Sequence, residues 1–258
     1  MVMREGTCCI CQQSGKLSFE HVHPHKAFNQ RPLVLKSALD EIADEKKPNP
    51  SKGRTQQRGM GMHSLCVSCN NLTGHRYGGE YVEFAHQCMC RISALQPRMP
   101  PLYLNYFIFP LRVIKQIMCL FCSINGPSFT AHNPEIADFI LDRDRKHLPC
   151  GYKIYAYLTM GPGIRSAPFV GRGLIPTGEM TIFSELSFPP LGYILTKDDY
   201  KAKGVEYQRL DFLSRYRYAD WKTVPLRMPY LPTATWVPGD FRTRDEADAC
   251  ARKNAQLI

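Results

Sequence analysis

The stretch that decides the fold reads Cys66-Val67-Ser68-Cys69-Asn70-Asn71-Leu72-Thr73-Gly74, and its counterpart near the amino terminus reads Cys8-Cys9-Ile10-Cys11. Each contains a C-x-x-C pair, in which two thiolates can grip one metal ion from a tight turn. Two such pairs supply the four ligands of a tetrahedral zinc ion and leave no position open for a substrate. We therefore predict one structural zinc held by Cys8, Cys11, Cys66 and Cys69. Cys9 remains an alternative to Cys8 or Cys11.

Between the two cysteine pairs lies the segment Phe19-Glu20-His21-Val22-His23-Pro24. A neutral imidazole can take a proton from water near neutral pH. A carboxylate can hold a hard divalent cation such as magnesium. In an extended strand, Glu20 and His21 point to opposite faces, so both serve one site only if the strand bends or twists. His23 is expected on the same strand face as His21 and is the rival general base.

Together these residues resemble the HNH endonuclease family, in the zinc-bearing branch that reads E-H-I/V-x-P followed by C-x-x-C-N-N-x-x-G. The resemblance covers residues 7 to about 86. It implies a ββα-metal fold, in which a two-stranded hairpin carries the first His and the helix after the second cysteine pair carries the last motif residue. It also implies that His21 is the general base, and that Glu20 and Asn70 hold or position one catalytic Mg²⁺ or Mn²⁺ ion.

The chain departs from the family pattern at one position. The middle motif residue is usually an Asn shortly before the second cysteine pair, and the stretch 59–65 contains none. His63 can take that position, or the position is absent. The main expectation is an endonuclease that cleaves DNA, with a role in restriction or anti-phage defence implied by the resemblance alone. The alternatives are an RNA-directed, toxin-like nuclease and a zinc-knuckle nucleic-acid-binding module without catalysis.

The charge of the chain favours a polyanionic partner. The 258 residues carry a formal net charge of +10, with a pI near 9.1. Such a balance is typical of proteins that bind nucleic acid. Lys52, Arg54 and Arg58 lie in a polar loop inserted between the two halves of the expected site, where they can neutralise phosphates. Arg76, after the second cysteine pair, is assigned to the same nucleic-acid-binding set.

The pattern predicts an α+β fold in two parts. Residues 1–97 form the zinc-containing nuclease module, and 98–258 form an α+β domain with mainly antiparallel strands. The second part is expected to serve recognition, docking or regulation, through which a homo-oligomer or a protein partner is possible. Helices are expected at 33–46, 70–92 (weakened by its glycines), 110–124, 134–141 and 243–256. Strands are expected at 152–158, 168–175, 179–187 and 191–196.

The sequence also bears on the compartment. The first eleven residues lack the apolar core of a secretory signal. The most apolar stretch, 102–124, is interrupted by Asn105, Pro110 and Lys115, so a membrane span is not expected. An odd total of 11 cysteines, with two metal-type pairs among them, favours a reducing environment. The expected location is the cytoplasm, without contact with a membrane.

Overall fold

The computed structural model describes residues 4–37, 40, 53–93, 95, 101, 103–161, 163–174, 179–197, 199 and 206–255. The strands are β1 (Arg4–Thr7), β2 (Ser14–His21), β3 (Leu33–Leu35), β4 (Arg54–Gln56), β5 (Gly61–Cys66), β6 (Leu104–Ile108), β7 (Lys153–Leu158), β8 (Arg165–Leu174), β9 (Glu179–Phe188), β10 (Leu191–Thr196), β11 (Gln208–Arg209) and β12 (Lys222–Leu226). The α-helices are α1 (Val67–Thr73), α2 (Gly79–Ile92), α3 (Pro110–Asn125), α4 (Pro127–Ala131), α5 (Pro134–Leu141) and α6 (Arg244–Ala255). The fold is therefore mixed α+β with antiparallel sheets, as predicted.

The amino-terminal part is a three-stranded sheet, in the order β1-β2-β5, followed by a helix. Strand β2 pairs antiparallel with β5, with a register shift between Ser18 and Phe19. Helix α1 begins directly after β5, because Cys66 still has extended backbone angles and its Sγ accepts a hydrogen bond from the Cys69 amide at 3.4 Å. A thiol sulfur thus takes the place of the usual oxygen cap of the helix. The hairpin and the helix are joined at the second cysteine pair.

The predicted 70–92 helix begins three residues earlier, at Val67. Its glycines do not break it. Gly74–Gly78 form a π-helical turn that joins α1 to α2, which is a common way to accommodate one extra residue inside a helix. The irregularity expected from the glycines is therefore this π turn.

The predicted 33–46 helix is wrong at its start. Leu33–Leu35 form a strand that pairs antiparallel with Arg54–Gln56. The leucine spacing suits a helix, but three residues are too few to decide between helix and strand, and the β-branched Val34 favours the strand. The distant segment 54–56 supplies the pairing partner. Residues 41–46 lie outside the described part of the chain.

Helix α3 is the centre of the molecule. The sequence predicts one apolar face, yet both faces are buried and Lys115 is fully buried with them. One continuous hydrophobic core contains Phe84 of α2, Ile117 of α3 and Leu195 of β10. The predicted boundary at residue 97 falls outside the described residues and stays a prediction, while apolar packing connects the parts on either side of it.

The carboxy-terminal half holds a five-stranded antiparallel sheet in the order β11-β7-β10-β9-β8. Its four longer strands lie where they are predicted, within three residues. A separate two-stranded ribbon, β6 with β12, is not predicted from the sequence. The capping box of α6 is confirmed by reciprocal bonds between Thr243 and Glu246, at 2.9 and 3.3 Å. Among the described residues, no helix combines the length and the apolar character needed to cross a membrane.

Candidate metal centre and histidine site

Four thiols meet at the junction of the hairpin and the helix. The Sγ atoms of Cys8, Cys11, Cys66 and Cys69 all lie within 4.8 Å of one another, and those of Cys11 and Cys66 are 3.7 Å apart. A tetrahedral zinc ion with zinc–sulfur bonds of about 2.3 Å places its sulfur ligands about 3.8 Å apart. The predicted four-cysteine cluster is confirmed, and its donor set and spacing fit a structural zinc ion.

Cys9 is not part of the cluster. Its backbone N–H donates to Ser64 O at 2.8 Å, and its carbonyl accepts from the Thr130 hydroxyl at 2.7 Å. Burial raises the pKa of the Cys9 thiol to about 12, so the group stays protonated. Cys9 therefore anchors the first cysteine turn to β5 and α4.

His21 ends strand β2 at the surface, and its ring is half-buried. The ring packs edge-on against Phe19, with centroids 5.2 Å apart, and against His25 at 4.9 Å. Partial burial lowers the pKa of His21, and a hydrogen bond to the Arg58 carbonyl opposes this only in part. The ring is therefore neutral at neutral pH, which a general base requires.

The hydrogen bond to Arg58 also determines the tautomer of His21. Its Nε2 lies 3.0 Å from the Arg58 carbonyl oxygen, and a carbonyl oxygen only accepts. Nε2 must therefore carry the proton, and Nδ1 keeps its lone pair. Nδ1 has no hydrogen-bond partner among the described residues, so it is the nitrogen that can accept a proton.

The side chain of Glu20 does not lie next to the ring of His21, although the two residues are consecutive. The expectation that both serve one metal site therefore requires correction. Its side chain points to the opposite face of β2, is 6% exposed and has no hydrogen-bond partner for Oε2 within the described chain. Burial, reinforced by Cys8, raises the pKa of Glu20 to about 8, and a hydrogen bond from Ser123 offsets this in part. A protonated carboxyl facing α3 does not fit a ligand of a catalytic Mg²⁺ or Mn²⁺ ion.

His23 does not share a face with His21. The strand ends at His21, and His23 adopts a positive φ of 32° that turns its ring inward. The ring is buried, shares a hydrogen bond of 2.6 Å with the Tyr81 hydroxyl, and stacks on Phe188 at 5.0 Å. Desolvation lowers the pKa of His23 to about 3. This placement suits a packing residue rather than the rival base.

Asn70 lies on the first turns of α1 and faces β2. Its Nδ2 donates to the Ser18 hydroxyl at 3.0 Å and to the Phe19 carbonyl at 3.4 Å. Its Oδ1 accepts no hydrogen bond among the described residues and is free to hold a cation. Of the two predicted metal ligands, Asn70 therefore fits and Glu20 does not.

Asn29 is a site residue that the sequence does not reveal. It is fully buried, its Nδ2 donates to His23 O at 2.8 Å and Met60 O at 2.7 Å, and its Oδ1 accepts from Met60 N at 2.7 Å. It therefore ties the loop after His21 to the segment before β5, close to the Arg58 carbonyl that orients His21. A lone Asn in a loop has no spacing signal.

His63, the candidate for the middle motif position, lies across from Phe19 with ring centroids 5.5 Å apart.

The surface around His21 is basic. Arg54 and Arg58 are exposed, as expected for phosphate contacts, and the structure adds the exposed Lys26 and Arg31. The segments 21–37 and 53–66 contain no Asp or Glu. Lys52 lies outside the described residues.

Arg76 makes its hydrogen bond to a different part of the molecule. Its Nη1 donates to Leu141 O at 2.7 Å, at the carboxyl end of α5. The buried Tyr77 hydroxyl donates to Ile140 O at 2.7 Å beside it. Carbonyls at a helix C-terminus lack intrahelical partners and attract cations. The structure therefore gives Arg76 a capping contact at the end of α5, and its predicted contact with nucleic acid stays a prediction.

Comparison with protein-family models, with curated proteins and with solved structures finds no match for this chain.

Proposed function

We propose that the chain is an endonuclease that hydrolyses phosphodiester bonds, with DNA as the favoured substrate and RNA as the alternative. The observation that supports this most directly is His21, a neutral imidazole with a defined tautomer at the edge of a basic surface. The four-cysteine cluster lies at the other end of the same hairpin. The resemblance to the HNH endonucleases supports the same chemistry, and restriction or anti-phage defence is a role that follows only from that resemblance.

The chemistry assigned to His21 is proton transfer. Its Nδ1 accepts a proton from water as the water oxygen attacks phosphorus, and the bond from phosphorus to the leaving oxygen breaks. The leaving oxygen takes up a proton from solvent, and Nδ1 then releases its proton to solvent, which balances the hydrolysis and restores the base. Bound zinc would supply rigidity by joining the first cysteine turn to α1. A divalent cation on the Asn70 amide oxygen would stabilise phosphate charge, although Glu20 offers it no ligand in this arrangement.

The test is cleavage of a supercoiled plasmid, with EDTA and with add-back of magnesium or manganese. His21→Ala should reduce the cleavage rate about 10²–10⁴-fold, because the base is lost. His75→Ala, an exposed histidine on the π turn, is the matched control and should cleave normally. The zinc content of both variants should equal that of the wild type. Wild-type rates in His21→Ala, or loss of cleavage only in His23→Ala, would contradict the proposal.

Substrate binding is tested separately. Replacing Arg54 and Arg58 with Ala should weaken nucleic-acid binding and reduce the slope of log K against log salt by about two. Arg252→Ala/Lys253→Ala removes the same charge from the exposed face of α6 and should leave the slope unchanged. Matched DNA and RNA substrates of one sequence distinguish the two proposed targets. An unchanged slope in the Arg54/Arg58 variant would assign these residues to solvation.

A second candidate is a zinc-knuckle nucleic-acid-binding module without catalysis. The inward orientation of Glu20 and the missing middle Asn favour it. It predicts salt-dependent binding that is lost with Arg54 and Arg58, but no cleavage with any divalent cation.

A further inference from the structure

Two pairs of exposed aromatic rings lie next to helix α2. Phe28 stacks on His86 with ring centroids 4.9 Å apart and an interplanar angle of 29°. Phe107 stacks on Trp221 at 5.7 Å and 19°. Phe28 is 36% exposed, Phe107 47% and Trp221 55%, so each pair keeps ring surface in contact with water. We name these four residues the aromatic track.

The second pair belongs to the β6–β12 ribbon, whose inner face is buried through Tyr106 and Val224. Phe107 faces outward. Its backbone N–H donates to Gln87 Oε1 at 2.8 Å, and its carbonyl accepts from Gln87 Nε2 at 2.7 Å. Both backbone groups therefore point away from β12, as they do in a non-hydrogen-bonded antiparallel pair. Gln87 follows His86 in the helix, so one turn of α2 positions both aromatic pairs.

The aromatic track is connected to the proposed catalytic histidine. His86 Nε2 lies 3.1 Å from the Lys26 carbonyl oxygen. The preceding residue, His25, has its ring 4.9 Å from that of His21. A chain of direct contacts therefore leads from His21 along the 25–28 loop to His86, and by way of Gln87 to Phe107 and Trp221.

The charges beside the track favour an anionic ligand. Exposed Lys26 flanks the first pair, and exposed Lys222 and Arg217 flank the second. Two acidic residues lie nearby: Glu83, one turn before Gln87 on α2, and Asp220, whose carboxylate accepts the Arg217 backbone N–H at 2.8 Å. The basic side chains outnumber these acids, and the basic surface around His21 continues the pattern.

We propose that the aromatic track binds unpaired bases of single-stranded nucleic acid. Exposed aromatic rings with interleaved cations are the features that stack successive bases while neutralising their phosphates, and stacking is tolerant of sequence. In a duplex the bases are stacked on one another and do not offer their faces. The further statement that the track leads a strand to His21 rests on the proposed function, whereas the binding of bases does not.

The test uses the fluorescence of Trp221. The chain has two tryptophans, so Trp236→Phe leaves Trp221 as the only one. The protein also carries His21→Ala, and the buffer contains no added magnesium or manganese, so that cleavage is suppressed while the zinc site stays intact. Single-stranded DNA, RNA of the same sequence, and the corresponding blunt duplex are titrated in turn. We expect single strands to quench the fluorescence of Trp221 and to bind more tightly than the duplex. The strand that binds more tightly, DNA or RNA, identifies the class of nucleic acid that the track prefers.

Substitution separates stacking from charge. Trp221→Ala should weaken single-strand binding about 10–100-fold, whereas Trp221→Phe should retain most of the affinity. Trp236→Ala, which removes the other tryptophan at 36% exposure, is the control and should bind normally. Thermal unfolding of the two Trp221 variants should be close to that of the wild type, because Trp221 is 55% exposed.

Two results would overturn the inference. One is equal binding of single strands and duplex with no effect of Trp221→Ala. The other is a concentration-dependent dimer, seen in sedimentation of the wild type and abolished by Trp221→Ala, which would assign the track to self-association. Tight base stacking together with no cleavage by the wild type in magnesium or manganese would retain this inference and reject the nuclease proposal.

Discussion

Replacing Cys69 with Ser tests the metal centre, because it removes one thiolate from a cluster whose sulfur atoms all lie within 4.8 Å of one another. Cys69 is buried on α1, and the serine hydroxyl is a much poorer zinc ligand than a thiolate. The cluster joins the first cysteine turn to the hairpin–helix junction. Loss of a ligand therefore weakens the connection between these two segments.

The expected magnitude follows from the ligand count. Structural zinc sites contribute about 10–16 kcal/mol, so an equal share for each of four ligands is about 2.5–4 kcal/mol. Zinc affinity should then fall by about two to three orders of magnitude. The unfolding temperature should fall on the order of 10 °C, since about 1 kcal/mol shifts the midpoint by about 2–4 °C in a protein of this size.

The assay is zinc content by elemental analysis after gel filtration, combined with thermal unfolding. Cys9→Ser is the matched control, because Cys9 is buried between two ligands but is not part of the cluster. It should retain one zinc per chain. The reasoning is refuted if Cys69→Ser keeps a full zinc complement and an unchanged midpoint, or if Cys9→Ser loses zinc to the same extent.

The corrected positions give three further predictions. Because the pKa of Glu20 is raised to about 8, its contribution to stability should be lost as the pH rises from 4.5 to 8, opposite in direction to that of His23. Glu20→Gln should therefore gain stability relative to the wild type as the pH rises, reaching on the order of 1–3 kcal/mol at pH 7, and should retain cleavage. Loss of cleavage would restore Glu20 as a ligand. Because the pKa of His23 is lowered to about 3, its contribution to stability is present above pH 6.5 and is lost as the pH falls below that value. The unfolding free energy of the wild type relative to His23→Phe should therefore fall by about 2 kcal/mol between pH 7 and pH 5 in urea unfolding. A difference that is the same at both pH values would contradict this. Arg76→Ala should lower the unfolding free energy by about 1–3 kcal/mol, because the hydrogen bond to the Leu141 carbonyl is lost. The salt dependence of nucleic-acid binding should be unchanged. A reduced slope of log K against log salt would assign Arg76 to the binding surface.

The sequence was sufficient to predict those features whose physical cause lies within a few consecutive residues. A C-x-x-C turn places two sulfur atoms together by itself, and the two pairs together defined the cluster of Cys8, Cys11, Cys66 and Cys69 before any fold was known. Pro110 and the apolar period of the following residues defined α3, and the Thr243–Glu246 box defined the start of α6. Runs of β-forming residues separated by Gly and Pro turns likewise located the four longer strands of the large sheet.

Tertiary packing decided the remaining features, because the causes are contacts between residues distant in sequence. Glu20 and His23 are typical catalytic residue types, but α3 desolvates the first and Phe188 and Tyr193 enclose the second. Arg76 is a plausible phosphate ligand until the end of α5 is placed against it. The residues packed around a polar side chain determine its dielectric environment and which of its lone pairs remain free. Those neighbours are distant in sequence, so no local pattern shows which polar group titrates or faces solvent.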